Sequence, residues 1–153
     1  MKTLVINIEW EGPLSVERTI NEKTDAGEEP DWSGNDYGLY QIYGNHILCG
    51  KNTLLYIGKA VEQTFSERIG QHYRDFLKKE EDVEIYLGRV FDTERHSKED
   101  GWQSWYSDID TAERIVLYKY CPNYNSQGIA DKPVFPLYAK IKLIHGGSKN
   151  RLE

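Results

Sequence analysis

The sequence predicts an α+β protein in which a small antiparallel or mixed sheet is flanked by helices. Several short segments alternate apolar and polar residues, as half-buried strands do. Two longer segments begin with helix-capping residues, and the first of them repeats apolar residues at helical spacing. The chain has 153 residues, of which 39% are hydrophobic and 29% charged. This composition is typical of one globular domain with a substantial core.

The N-terminal residues 1–37 predict one strand, one short helix and a long polar loop. Residues 4–10 alternate like a strand, and Gly12-Pro13 is expected to end it. Ser15 is the predicted cap of a short helix that reaches Ile20. Residues 1–37 contain nine acidic and three basic residues, so they account for the net charge of −6, whereas 38–153 is neutral. Net charge therefore neither supports nor excludes a nucleic-acid partner.

Two further strands are predicted at 38–43 and 53–57, joined by a turn that contains Gly44-Asn45 and Gly50-Lys51-Asn52. The run Thr64-Phe65-Ser66-Glu67 is a capping box, which predicts a helix over 65–79. Its apolar residues at helical spacing predict a buried stripe made of Phe65, Ile69, Tyr73 and Phe76.

The C-terminal half continues with a third strand at 83–90 and a charged, tryptophan-containing insertion at 92–107. A helix is predicted from Asp110 to Tyr120, because Pro122 cannot continue it. A last strand is predicted at 134–144. After residue 37 the order is therefore strand, strand, helix, strand, helix, as expected for helices packed on a small sheet.

Several classes of protein are disfavoured by what the sequence lacks. No apolar run approaches the roughly 18 residues of a membrane helix. The apolar stretch at the start is too short for a signal peptide. The two cysteines, Cys49 and Cys121, match no metal-binding spacing. These observations predict a cytoplasmic protein without a membrane partner.

Two tripeptides stand out: Gly38-Leu39-Tyr40 and Tyr56-Ile57-Gly58, with sixteen residues from one tyrosine to the other. Each places a tyrosine in a predicted strand beside a glycine. The pair resembles the signature of the GIY-YIG nuclease family, with Leu39 in place of isoleucine. The resemblance covers about 38–129 and implies hydrolysis of phosphodiester bonds by tyrosines and one metal ion.

This resemblance divides the chain into three parts. Residues 1–37 would be an acidic N-terminal extension packed on the core, and 38–129 the nuclease-like domain. Residues 130–153 would add a strand and a tail to the same domain.

The helix after the second tripeptide carries Arg68 and His72, which are four residues apart and therefore on the same side. An arginine can hold a phosphate through its planar fork of donors, and a histidine can shuttle a proton. The resemblance implies both roles, and it implies that Tyr40 or Tyr56 is the general base. Lys59 matches a lysine that follows the second tripeptide in this family, and its ammonium is expected to lower the pKa of a neighbouring phenol. The competing interpretation is structural: a surface arginine, a half-buried histidine and two core tyrosines.

Glu113 is implied by the resemblance as the only protein ligand of a Mg²⁺ or Mn²⁺ ion. The competing interpretation is a capping box with Asp110 at the start of its helix. Asp108 and Asp110 are the next carboxylates to consider. Asn125 would complete the site, with the nearby Asn123 as the fallback, whereas an ordinary turn-forming asparagine is the plain alternative.

The resulting hypothesis is a metal-dependent endonuclease that acts on duplex or branched DNA, alone, as a homodimer or with a partner protein. The alternative is a module that keeps this fold, binds nucleic acid or protein, and does not catalyse. Aromatic residues of the insertion either stack on unpaired bases or fix a loop to the core. They are Trp102, Trp105 and Tyr106.

Overall fold

The structure, a computed structural model, describes residues 2–21, 37–91, 102–125, 132–133 and 138–147. It confirms an α+β architecture, in which five strands form one sheet and three helices accompany it within these ranges. The elements are β1 (Lys2–Leu14), α1 (Val16–Asn21), β2 (Gly38–His46), β3 (Gly50–Ala60), α2 (Phe65–Asp75), β4 (Glu84–Phe91), α3 (Trp102–Tyr120) and β5 (Tyr138–Gly147). A single 3₁₀ turn, Leu77–Lys79, follows α2.

The strand order across the sheet is β3-β2-β4-β1-β5. All neighbouring pairs are antiparallel except β1 and β5, which run parallel, so the sheet is mixed. Strand β1 lies between β4 and β5, and the N-terminal segment thus contributes a strand inside the sheet. Strand β3 lies at one edge. Beyond it, Tyr124 N donates to the carbonyl of Leu55 at 2.8 Å.

Alternation along the strands gives the sheet two apolar faces. Leu39, Tyr43 and Ile57 belong to one cluster of buried residues. Helix α3 covers that face with a stripe at positions i, i+4, i+7 and i+11, made of Trp105, Ile109, Ala112 and Val116. The opposite face carries Tyr40, Ile42, Ile85 and Leu87, and α2 covers it with Phe65 and Ile69.

Several boundary predictions were wrong. The region 92–107 was expected to be an insertion, yet residues 102–107 form the first turns of α3, and 92–101 lie outside the described residues. The apolar stripe already starts at Trp105, where packing on the sheet outweighs the charged local composition. Likewise, β1 continues through Gly12-Pro13 to Leu14, with a register shift between Glu11 and Leu14.

The predicted buried stripe of α2 was also wrong at one position. Tyr73 is 41% exposed, whereas His72 is buried at 7% exposure. Helix α2 ends at Asp75, before the predicted end at residue 79. The helix therefore turns a histidine, and not a tyrosine, towards the sheet.

Candidate active site

Tyr40 and Tyr56 lie on the adjacent antiparallel strands β2 and β3. Tyr40 pairs with Gly58 and Ile42 pairs with Tyr56, so the two tyrosines are diagonal neighbours on the same face of the sheet. Their rings stack with centroids 6.0 Å apart and an interplanar angle of 19°. Tyr40 is completely buried, and Tyr56 is half-buried.

Gly58 provides the space that the two tyrosine rings occupy. A Cβ atom at this position would overlap the Tyr40 hydroxyl and lie 2.8 Å from Cε1 of Tyr56. The glycine of the second tripeptide is thus required by the side chains of both tyrosines. Glycine is required at position 38 for a different reason: a Cβ there would overlap the backbone carbonyl oxygen of Gly88 on β4.

Helix α2 presents Arg68 and His72 to the tyrosines. Thr64 caps the helix by accepting a hydrogen bond from the backbone N–H of Glu67, as the capping box predicted. The hydroxyl oxygen of Tyr40 lies 2.6 Å from His72 Nε2, and Arg68 Nη2 donates to it at 3.4 Å. The imidazole also contacts Tyr56, with ring centroids 4.5 Å apart. These four residues, Tyr40, Tyr56, Arg68 and His72, form the tyrosine half of the site.

Burial sets the protonation states of the tyrosine half. It raises the pKa of both phenols far enough that the positive charge of Arg68 does not restore their ordinary value. Burial, helped by the charge of Arg68, lowers the pKa of His72 to about 4. At neutral pH the phenols therefore carry their protons and the imidazole is uncharged. The Tyr40 hydroxyl and His72 Nε2 are therefore joined by a hydrogen bond between two uncharged groups.

The second half of the site lies on the other face of β3, where Lys59 meets helix α3. Lys59 Nζ donates to Asp110 Oδ1, and Glu113 Oε1 lies 3.6 Å from the same ammonium. Together with Tyr106, the two carboxylates occupy positions i, i+4 and i+7 of α3, next to its buried stripe. We call Lys59, Asp110 and Glu113 the carboxylate half.

The charges of the carboxylate half are incompletely balanced. Burial raises the pKa of Glu113, and the ammonium of Lys59 offsets this only in part. For Lys59 burial acts to lower the pKa, but the hydrogen bond that Lys59 donates to Asp110 and the two negative charges outweigh it. The pKa of Lys59 is consequently raised, and both carboxylates face a permanently charged ammonium.

A cleft of about 270 Å³ joins the two halves. Arg68 reaches it from the tyrosine half, and Lys59 and Glu113 line it from the carboxylate half. The remaining lining comes from Tyr106 and residues 61–63. Lys59 is the second-to-last residue of β3 and 61–63 follow the strand, so the cleft lies at the C-terminal end of β3, where side chains from its two faces can meet.

The carboxylate half fits a divalent cation in its chemistry. Glu113 offers oxygen ligands at the cleft, and its side chain is 16% exposed, so a hard cation could bind it while keeping several waters. The described part of the chain has no cluster of three or more His, Cys, Asp or Glu side chains suited to a metal. Of the two carboxylates beside Lys59, Glu113 is the one that lines the cleft.

Asn125 acts on the site from outside the cleft. Its Oδ1 accepts from the backbone N–H of Ile57 at 3.0 Å, and its Nδ2 donates to the carbonyl of Ile57 at 2.9 Å. The side chain thus pairs with the edge of β3 between Tyr56 and Gly58, like one residue of an additional strand. The fallback residue Asn123 instead contacts the Cys49 sulfur at 3.4 Å.

The structure thus brings together Tyr40, Tyr56, Arg68 and His72, and it brings Lys59 and Glu113 to the same cleft. Two expectations about these residues were wrong. Glu113 is not in a capping box with Asp110, because α3 begins at Trp102 and both residues lie in its interior. The cation that acts on the phenols is Arg68, whereas Lys59 pairs with carboxylates.

The sequence did not determine the roles of two groups of residues in the site, and the structure does. Asp110 holds Lys59, a pairing that helical spacing could have indicated once the start of α3 was known. Tyr106 lines the cleft, while Trp105 is buried and donates to the carbonyl of Val90 at 3.1 Å. The side chain of Trp102 lies outside the described residues.

Comparisons with other proteins identified no relative of this chain. No protein-family model, curated protein or solved structure matches the chain. Among the described residues, no helix has both the length and the apolar character needed to cross a membrane.

Proposed function

We propose that this protein is a metal-dependent endonuclease that hydrolyses DNA phosphodiester bonds at the cleft between its two halves. One observation carries the proposal: the buried Tyr40 hydroxyl is held by both His72 and Arg68, beside a cleft that Arg68 shares with Glu113. A buried phenol needs a single hydrogen-bond partner to be stable. The Tyr40 hydroxyl has two such partners, and it lies beside an open cleft that also contains a carboxylate. This arrangement fits a catalytic role for Tyr40 better than a purely structural one.

Arg68 and Lys59 are the phosphate-binding groups in this proposal. Both line the cleft, and Arg68 can offer a fork of donors to non-bridging oxygens. Because these oxygens gain negative charge in the transition state, fixed cations at the cleft lower the barrier.

The proposed proton path runs from Tyr56 into the core, and Arg68 connects it to the cleft. Tyr56 is half-buried, its hydroxyl interacts with the hydroxyl of Tyr40 and the guanidinium of Arg68, and the hydroxyl of Tyr40 contacts His72 Nε2. In this proposal the attacking water gives its proton to Tyr56 as Tyr56 passes its own proton to Tyr40, and Tyr40 in turn passes its proton to Nε2 of His72. A bound phosphate would raise the low pKa of His72, because its negative charge stabilises the imidazolium.

Glu113 would hold the divalent cation, Mg²⁺ or Mn²⁺, in this proposal. Such a cation supplies a Lewis acid for a phosphoryl oxygen and lowers the pKa of a bound water. The chain itself contributes the orientation of the phosphate by Arg68 and the removal of the proton by the tyrosine half.

The test is cleavage of plasmid and single-stranded DNA with Mg²⁺ or Mn²⁺. We expect Tyr40→Phe and Glu113→Ala each to reduce the rate by about a hundredfold or more. Matched controls are Tyr73→Phe on the exposed side of α2 and the exposed Glu81→Ala, which should cleave like the unmodified protein. Cleavage that survives both site variants would rule out this mechanism.

A second function is favoured by one specific feature, the tip of the β2–β3 hairpin. Ile47 is 97% exposed and Leu48 is 86% exposed, and the His46 ring fixes the turn by accepting from the backbone N–H groups of Leu48 and Cys49. Two rigidly displayed apolar side chains suit a protein-interaction module that does not catalyse. DNA binding without metal-dependent cleavage, or neither activity, would favour this alternative.

A further inference from the structure

Asp110 is the residue of the site whose purpose the proposed function leaves open. It lies on α3, one turn before Glu113, and its side chain is 37% exposed. Its carboxylate accepts a hydrogen bond from Lys59, and this pairing is closer than the 3.6 Å contact between Lys59 and Glu113.

The competition between the two carboxylates for one ammonium is the informative feature. Glu113 is less exposed than Asp110, at 16% against 37%, so its attraction for Lys59 is less weakened by solvent. Lys59 nevertheless forms its hydrogen bond with Asp110. The position of Asp110 on the helix therefore decides where the ammonium rests.

That position matters for any cation that would bind Glu113. An ammonium in direct contact with the carboxylate would have to be displaced before a divalent cation could enter. With Asp110 present, the three side chains carry one net negative charge. Without it they carry none, which also weakens the attraction for a cation.

We propose that Asp110 is a positioning residue, which anchors Lys59 at the rim of the cleft and so keeps Glu113 available to a divalent cation. This inference rests on the proposed function in so far as Glu113 is taken as the metal ligand. Lys59, held in this way, remains directed at the cleft, where it can meet a phosphate oxygen.

The first test needs no metal. In a metal-free crystal structure of Asp110→Ala, we expect Lys59 Nζ to have moved into hydrogen-bonding distance of Glu113, and Asp110→Glu to keep the original arrangement. Alanine is the strongest helix former, so this variant retains α3. An ammonium that stays in place in Asp110→Ala would overturn the inference.

The second test measures Mn²⁺ binding to the full chain by calorimetry. Changes in residues that orient metal ligands reduce affinity about tenfold or more, and we expect such a loss for Asp110→Ala. Glu62→Ala is the matched control, because it removes a negative charge from the lining of the same cleft without touching Lys59. An equal loss of Mn²⁺ affinity in the two variants would mean that Asp110 acts only through its negative charge, which would overturn the inference.

A double variant separates an anchor from a direct ligand. In a Lys59→Met background there is no ammonium to anchor, so we expect Asp110→Ala to reduce Mn²⁺ affinity only as much as Glu62→Ala does, through the loss of its charge alone. An undiminished loss in that background would make Asp110 a metal ligand instead, which contradicts the proposal. If the unmodified chain binds no Mn²⁺, the metal in the proposed function fails, and the crystal structure alone decides whether Asp110 anchors Lys59.

Discussion

The two halves of the candidate site differ in how their side chains are held. In the tyrosine half, a completely buried phenol contacts a buried imidazole, and Gly58 leaves no spare volume beside it. In the carboxylate half, Lys59 and Asp110 are partly exposed and are held by charge. Shape therefore fixes the first half, whereas electrostatic balance fixes the second.

This difference has a consequence for mutations. Changes in the tyrosine half should alter stability and activity together, because the same contacts serve both. Changes in the carboxylate half should alter ion binding and activity while leaving the free energy of unfolding almost unchanged. The following experiments compare the halves in the order of the expected effect.

Gly58→Ala should have the largest effect, because its Cβ would displace both tyrosine rings. We expect a loss of cleavage of about a hundredfold, as for the removal of a proton-transfer group. The free energy of unfolding should fall by about 1–3 kcal/mol, as for overpacking in a core. Urea denaturation and a cleavage assay measure the two effects.

Gly70→Ala is the control for that substitution. Gly70 lies in α2, and the nearest atom to an added Cβ is Arg74 Nη1 at 3.9 Å. Alanine should therefore stabilise the helix by up to about 1 kcal/mol and leave cleavage unchanged. Full activity in Gly58→Ala would contradict the claim that shape fixes the tyrosine half.

The pH dependence of stability should report on His72. Its pKa is about 4 in the folded chain against 6.5 for an unperturbed histidine. The unfolded chain binds this proton first as the pH falls, so stability is lost progressively between pH 6.5 and 4. The loss amounts to roughly 3 kcal/mol at most, since each pKa unit corresponds to about 1.4 kcal/mol.

Substitution isolates that contribution from the other titrating groups. The unfolding free energy of His72→Gln should depend less on pH over the same interval. Tyr73→Gln, on the exposed side of the same helix, should keep the dependence of the unmodified protein. If the His72 variant retained the full slope, the imidazole would not be buried in its neutral form.

Asn125→Ala tests whether the site depends on the hydrogen bonds that Asn125 makes with β3, the strand that carries side chains of both halves. The variant loses two hydrogen bonds with Ile57, and we expect the unfolding free energy to fall by about 1–2 kcal/mol. Cleavage should fall as well, because Tyr56 and Gly58 flank the contact. Asn123→Ala is exposed and should change stability by less than about 0.5 kcal/mol. Equal effects in the two variants would remove Asn125 from the site.

Glu113→Gln should have the smallest effect on stability. Because burial raises the pKa of Glu113, the fold disfavours its charge, and a neutral amide of the same shape should change the unfolding free energy by less than about 1 kcal/mol. Tyr40→Phe, by contrast, leaves His72 without its partner and should cost about 1–3 kcal/mol. A cost for Glu113→Gln as large as that of Tyr40→Phe would break the distinction between the halves.

Local signals in the sequence predicted most of the elements around the site. The capping box at Thr64 set the start of α2, and alternation set the strands that carry the tyrosines. The start of α3 was missed, because the charged composition before Asp110 gives no local helix signal. Its early turns form through the packing of Trp105 against the sheet, which depends on residues distant in the sequence.

The pairing of Lys59 with the carboxylates of α3 was not predicted from the sequence. Lys59 was expected to act on a phenol because it matches the lysine that follows the second tripeptide in the family that the chain resembles. In a strand, however, residues an odd number apart point to opposite faces, so Lys59 meets α3 and the tyrosines meet α2. Which helix covers which face is decided by the chain topology.

The sequence by itself determined the α+β class, the two tyrosine strands, and the spacing that places Arg68 and His72 on one side of a helix. These features follow from periodicities of two to four residues. Only the tertiary structure decided that His72 is buried against Tyr40, that Arg68 and Glu113 share a cleft, and that Asp110 holds Lys59. The physical reason is that burial and charge pairing depend on which elements meet at the edge of β3.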